Sequence, residues 1–175
     1  MEQDKKVLSH VAKGLIVSLI LIVIGLVAHF AGIETASWYR WLPLVILFAA
    51  IVWGCTYYSN QLDGYVTFGN VFSHGFKMSA VITVILIVWT LLSLTIIFPE
   101  MKEKSLEIAR QQMEDRGKMS SEQIDQAIDM TRRFFLPFTI GYILFGTLIV
   151  GAIASLLGAA VAKKKPVNPL DQMSM

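Results

Sequence analysis

Charge is scarce in this chain. Of its 175 residues 16% are Asp, Glu, Lys or Arg, against about 25% in an ordinary soluble domain. The scarcity is uneven. Twelve of the 15 Lys and Arg residues lie at the two ends or in a passage between Pro99 and Phe135. This pattern argues against a soluble globular domain and points to a membrane protein. Cysteine is scarcer still, and a lone Cys55 excludes an intramolecular disulfide or a cysteine-based metal cluster. With a net charge of +2 and no basic stripe interleaved with aromatics, no nucleic-acid partner is expected. Catalytic signatures are missing too: no Gly-rich loop closing on Gly-Lys-Ser/Thr, no HExxH, no GxSxG and no GxGxxG. His10, His29 and His74 are far apart in the chain, and the eight methionines show no ligand rhythm. The expectation is therefore no enzyme, no cofactor and no metal.

What the chain has instead is oil, 55% of its residues being hydrophobic. Crossing a hydrocarbon core of roughly 30 Å takes about 20 apolar residues in a helix, and four segments qualify. The first is Val11 to Ala31. Its one charge, Lys13, lies near the end and is expected to snorkel to the headgroups. Lys5 and Lys6 precede it, but the apolar run exceeds the roughly 7–15 residues of a signal peptide, so it reads as an uncleaved span. The second, Trp41 to Tyr58, carries aromatics at both ends as interfacial belts, with Pro43 in its first turn. The third, Met78 to Phe98, is rich in Val, Ile and Thr, but in lipid a lone strand leaves its backbone unpaired and a helix wins. The fourth, Leu136 to Ala162, is closed by Lys163, Lys164 and Lys165 and a tail, 163–175, that reads as basic and disordered.

Two connections carry pattern. At about 64–76, Tyr65, Phe68, Phe72 and Phe76 gather on one side of a helical wheel, and Asn70, Ser73, His74 and Lys77 on the other. This predicts an amphipathic helix lying in the interface, interrupted at Gly69 and Gly75, with His74 and Lys77 as candidates for a lipid headgroup contact. The passage 99–135 predicts a polar helical hairpin. Leu106, Ala109 and Met113 form one apolar stripe; Ile124, Ile128, Thr131 and Phe135 form another. Gly117 ends the first arm, and Ser120 with Gln123 forms a capping box that opens the second. Pro99 and Pro137 mark expected kinks.

Inside the spans, small and hydroxyl residues share faces. They include Gly14, Ser18, Gly25, His29 and Gly32 on the first, Ser79, Thr83, Thr90 and Ser93 on the third, and the ladder Thr147, Gly151, Ser155, Ala159 on the fourth. Such spacing lets helix backbones approach, and the hydroxyls can bond across. Gly25, His29, Thr83, Thr90, Thr147, Gly151, Ser155 and Ala159 are thus candidates for packing or interaction, with Cys55 a small buried residue. Four spans place both termini on one side. Lys5, Lys6, Lys13, Lys77 and Lys163 to Lys165 share it, which makes it the cytoplasmic side by the positive-inside rule.

The loop "GYVTFGNVFSHGF", the hairpin "ARQQMEDRGKMSSEQIDQAIDM" and the closing "GAIASLLGAAVAKKKP" resemble a family of small bacterial membrane proteins, domain of unknown function 4199, found mainly in Bacteroidota. The resemblance covers most of the chain and implies a four-span protein of the bacterial inner membrane. It brings no activity, cofactor or catalytic residue. The fold class expected is all-α: an integral membrane four-helix bundle with an extramembrane helical hairpin between spans three and four. The expected role is an assembly or accessory subunit that uses the hairpin to engage an envelope protein or a second copy. The alternatives are a small oligomeric transporter or channel component, supported by the Ser/Thr stripe and His29, and a membrane enzyme acting on lipid headgroups through His74 and Lys77.

Overall fold

The computed structural model describes residues 8–33, 36, 38–39 and 41–165. Lys5, Lys6, Arg40 and the tail from Pro166 onward lie outside the described residues. The described chain is all helix: α1 (His10–Phe30), α2 (Leu42–Gln61), α3 (Phe68–Leu92) continuing as a π-helical turn (Ser93–Ile97), α4 (Glu100–Asp115) and α5 (Ser121–Val161). Four helices are long and apolar enough to cross a membrane: His10–Phe30, Leu42–Gln61, Phe68–Ile97 and Ser121–Val161. The protein is an all-α membrane protein.

The helix ends follow from local chemistry. Ser9 is extended and its hydroxyl accepts the N–H of Ala12 at 3.2 Å, which opens α1. Pro43 sits in the first turn of α2, where its missing N–H costs nothing. Gly64, at φ +84°, turns the chain left-handed after α2 and donates to the Ser59 carbonyl at 2.9 Å. The π turn closes with the N–H of Phe98 on the Ser93 carbonyl at 2.7 Å. Phe98 then breaks the helix at φ −135°, as expected of a residue ahead of proline.

One expected boundary is absent. The interfacial helix expected at 64–76 and the span expected from Met78 are one helix, capped by Thr67, whose hydroxyl accepts the N–H of Asn70 at 3.2 Å. Gly69 and Gly75 do not interrupt it. Gly75 is helical and its bare α-carbon faces a neighbouring helix, so it serves packing rather than breaking. The second polar arm and the fourth span form one helix that runs through Pro137. Proline removes one backbone donor, a loss that helices at membrane depth commonly absorb.

The chain divides into two compact units, Met1–Ile85 with Phe145–Met175, and Leu86–Leu144. In the first unit α1, α2, the start of α3 and the end of α5 pack through small residues. A β-carbon on Gly14 would stand 2.8 Å from Val81, one on Gly54 2.7 Å from the Met78 sulfur, and one on Gly158 2.6 Å from Cys55 Cβ. Gly75 abuts Cys55 and Ser155, and Gly151 abuts Ser79, more closely still. The interior is built of Ser18, Cys55, Ser79, Thr83, Ala154, Ser155 and Ala159 together with Ile51, Met78 and Ile82, all essentially buried. Large apolar residues such as Leu19, Val45, Val84, Phe145 and Val161 face outward. This is the reverse of a soluble core and suits a lipid surround, where association rests on close contact rather than on escape from water.

Four of the buried hydroxyls bond within their own helix rather than across helices. Ser18 donates to Gly14, Thr83 to Ser79 and Ser155 to Gly151, each to the carbonyl one turn back, at 2.6–2.8 Å. Ser79 donates to Phe76 at 2.8 Å. The nearest free lone pair lies in the residue's own helix. A serine satisfied this way acts as a small, nearly apolar spacer.

In the second unit α4 and the opening turns of α5 lie antiparallel. Leu106, Ile124 and Ile128 are buried between them. Arg110 pairs with Asp125 and with Glu114, and Arg132 with Glu103 at 2.7 Å. These pairs are more than a third exposed, so each contributes about 0–1 kcal/mol at most, and the three aliphatics matter more. The turn has the expected chemistry. Gly117 is left-handed at φ +60°, the Ser120 N–H donates to Gln123 Oε1 at 2.9 Å, and the Gln123 N–H to Ser120 Oγ at 3.3 Å.

Gly75→Ala is expected to destabilise the purified protein in detergent by about 1–3 kcal/mol, the usual range for overpacking. Gly141→Ala, where the added carbon meets open space, is expected to match or exceed the parent. Equal thermal midpoints for the two variants would refute the packing account.

Candidate functional site

The densest polar chemistry of the first unit gathers where α1 begins, α2 ends and α3 begins. Its centre is Lys13, on the first turn of α1 and only 1% exposed. The expected snorkelling does not occur. The ammonium turns inward, lying 3.2 Å from His74 Nε2 and donating to the Gly54 carbonyl at 3.4 Å. It also lies 4.8 Å from the ring centre of Tyr57 and 5.8 Å from that of Tyr58. A charged Lys can only donate, so Nε2 is the acceptor and the neutral imidazole carries its proton on Nδ1. Tyr58 stacks on that imidazole at 4.1 Å and 12°, and His10 meets it edge-on at 5.9 Å.

Energetics explain the inward turn. A hydrogen bond from a charged donor contributes about 1.5–3 kcal/mol. A desolvated cation–π contact adds up to about 2 kcal/mol. Together they offset the cost of taking one ammonium out of water, a cost of several kcal/mol. Gly54, whose carbonyl accepts from Lys13, is itself packed against Met78, which holds the space a side chain would fill.

Beside this cluster opens a pocket of about 400 Å³, whose lining includes His10, Tyr58, Asn70, Ser73, His74 and Lys77. At the same end a second recess, about 470 Å³, is bounded by Asn60, Asp63 and Lys163 to Lys165. The end of α5 is tied down there. The Lys165 N–H donates to the Gly64 carbonyl at 2.8 Å, Ser59 donates to the Lys163 carbonyl, and Lys164 and Lys165 lie over Phe68 and Tyr65. Among the described residues no three His, Cys, Asp or Glu side chains come together as metal ligands.

The residues singled out from sequence fall in several places. Thr83, Thr147, Gly151, Ser155 and Ala159 are buried in the first unit. Gly25 is half-buried, 4.0 Å in the Cβ direction from the Tyr39 hydroxyl. His29, also half-buried, lies edge-on to Phe30 at 5.6 Å. Thr90 belongs to the second unit and is half-exposed. Gly117, Ser120 and Gln123 are exposed at the turn between α4 and α5. Lys77 is exposed at the pocket, and His74, largely buried, lines the same space.

Sequence reasoning missed the meeting of Lys13, Tyr58, His10 and His74. One signal was available. A charge inside an apolar span that shares a helix face with His10 three residues earlier marks a polar face pointing at neighbours.

The four apolar helices, the small-residue interior and the buried lysine define the class: a multi-pass, all-helical membrane protein. The family model described as "Protein of unknown function (DUF4199)" matches residues 13–164, and the chain belongs to that family. No curated protein and no solved structure matches it. The matched region takes in Lys13, Tyr58, His74 and Lys77 but not His10.

His74→Phe, which strands the Lys13 ammonium without its nitrogen acceptor, is expected to cost about 1–3 kcal/mol in detergent unfolding. Lys13→Met should be close to neutral, because an apolar isostere removes the charge together with its desolvation. The double variant should recover the stability lost by His74→Phe. A double variant whose loss equals the sum of the two single losses would show that Lys13 and His74 are not energetically coupled.

Proposed function

We propose that the protein is a non-enzymatic inner-membrane assembly or accessory subunit, with both termini in the cytoplasm and the α4–α5 pair in water on the opposite side. The observation that carries this reading is the thinness of that pair. Its buried apolar content among the described residues is Leu106, Ile124 and Ile128, while Ile108, Met119, Met130 and Phe134 stay exposed, Met130 at 64%. Isolated helices of this length are marginal in water, and exposed ion pairs add little. Apolar side chains on such an arm gain from being covered by an envelope protein or by a second copy. The reading is favoured over a carrier by the packing of the first unit, where Gly75, Gly151 and Gly158 leave no width for a solute between α2, α3 and α5.

Two measurements test it. Cys55 is buried, so a cysteine introduced at Lys118 or at Lys164 becomes the reporter in intact cells. An impermeant thiol reagent should label Lys118→Cys and spare Lys164→Cys, and the reverse pattern would overturn the orientation. A photo-crosslinking side chain at Met130 or Ile108 should give a discrete adduct with another envelope protein or with a second copy. Correctly inserted protein that yields no adduct at either position would sink the assembly role.

A further inference from the structure

We infer that the pocket between the starts of α1 and α3 and the end of α2 binds a phosphate-bearing anion, either the headgroup of an anionic phospholipid or a free phosphomonoester. This is carried by the first unit and is independent of the partner reading, which concerns the second.

The lining is rich in donors and lacks acid. Lys77, Asn70, Ser73 and His10 all border the space, and none of the described lining residues is a carboxylate. His74 forms one wall, and the Lys13 ammonium lies directly behind it at 3.2 Å. Among the described residues no salt bridge brings a carboxylate to Lys13; its ammonium meets an imidazole, a carbonyl and two phenol rings. The positive field of a desolvated ammonium is therefore not cancelled within the cluster, and it extends through the ring toward the pocket.

Several donors around one cavity match an ion with several acceptor oxygens better than a carboxylate, which offers two. The volume, about 400 Å³, is in the range of small-ligand sites. Position points the same way. Tyr57, Tyr58 and Tyr65 lie at the helix ends, where aromatics mark the level of headgroups, and Lys163 to Lys165 border the neighbouring recess at this end. Basic pockets between spans are where anionic headgroups are held.

The test uses the full-length protein in two arms. In the first, protein reconstituted with mixed phosphatidylglycerol and phosphatidylcholine is examined by native mass spectrometry for retained lipid. In the second, inorganic phosphate and glycerol 3-phosphate are titrated against the protein in a neutral detergent, with thermal midpoint as readout and chloride at equal ionic strength as control. The expected result is selective retention of phosphatidylglycerol, a phosphate-specific rise in midpoint, or both. Lipid retention alone identifies the headgroup, and a phosphate response alone identifies the soluble ion.

Lys77→Gln should weaken whichever response is seen by about five-fold, the effect of one lysine near a membrane surface. Lys102→Gln, an equal loss of charge on α4, should leave it unchanged. The inference is overturned if neither arm discriminates against its control. It is also overturned if Lys77→Gln binds like the parent, or if Lys164→Gln alone abolishes the response, which would move the site to the neighbouring recess.

Discussion

Close approach of backbones around Cys55 governs the first unit. Gly75 on α3 and Gly158 on α5 both face this residue of α2, and neither site has room for a single added carbon. In lipid the surrounding tails are as apolar as leucine, so helices gain from each other only where contact is closer than lipid can offer. Glycine and serine permit that approach. Large side chains would hold the helices apart, and accordingly they are displaced to the outer surface.

The same closeness creates the polar cluster. Because α1 and α3 meet at Gly14, against Met78 and Val81, Lys13 is carried up against Gly54, the two tyrosines and His74. A lysine one turn into a membrane helix has two outlets: upward to the headgroups or inward to a partner. Here the inward route offers an imidazole nitrogen, a carbonyl and aromatic faces together, which outweighs what the interface supplies. A packing rule thus places a charge where no solvent reaches it. The pocket beside it inherits that charge, with Lys77 on its exposed side.

The second unit obeys different physics. Water is its natural solvent, so its pattern is the ordinary one of a thin apolar stripe, capped ends and charged flanks. Leu106, Ile124 and Ile128 are the side chains that the stripe placed inward, and Gly117, Ser120 and Gln123 build the turn through contacts no more than three residues apart. Such features depend on neighbours in the chain and are legible from it.

Sequence alone determined the number of apolar helices, the small-residue faces of the first and fourth, and the chemistry of the α4–α5 turn, because each is written in composition or at spacings of three to seven residues. Tertiary structure decided the rest. Only it showed that Gly75 is a contact and not a helix breaker, since that depends on Cys55 and Ser155 lying opposite. Only it showed that the Ser18 and Ser155 hydroxyls close on their own helices, and that Lys13 and His74, 61 residues apart in the chain, meet. Spacing reveals which residues share a face; which face meets which is set by the packing of whole helices, and local spacing carries no record of that.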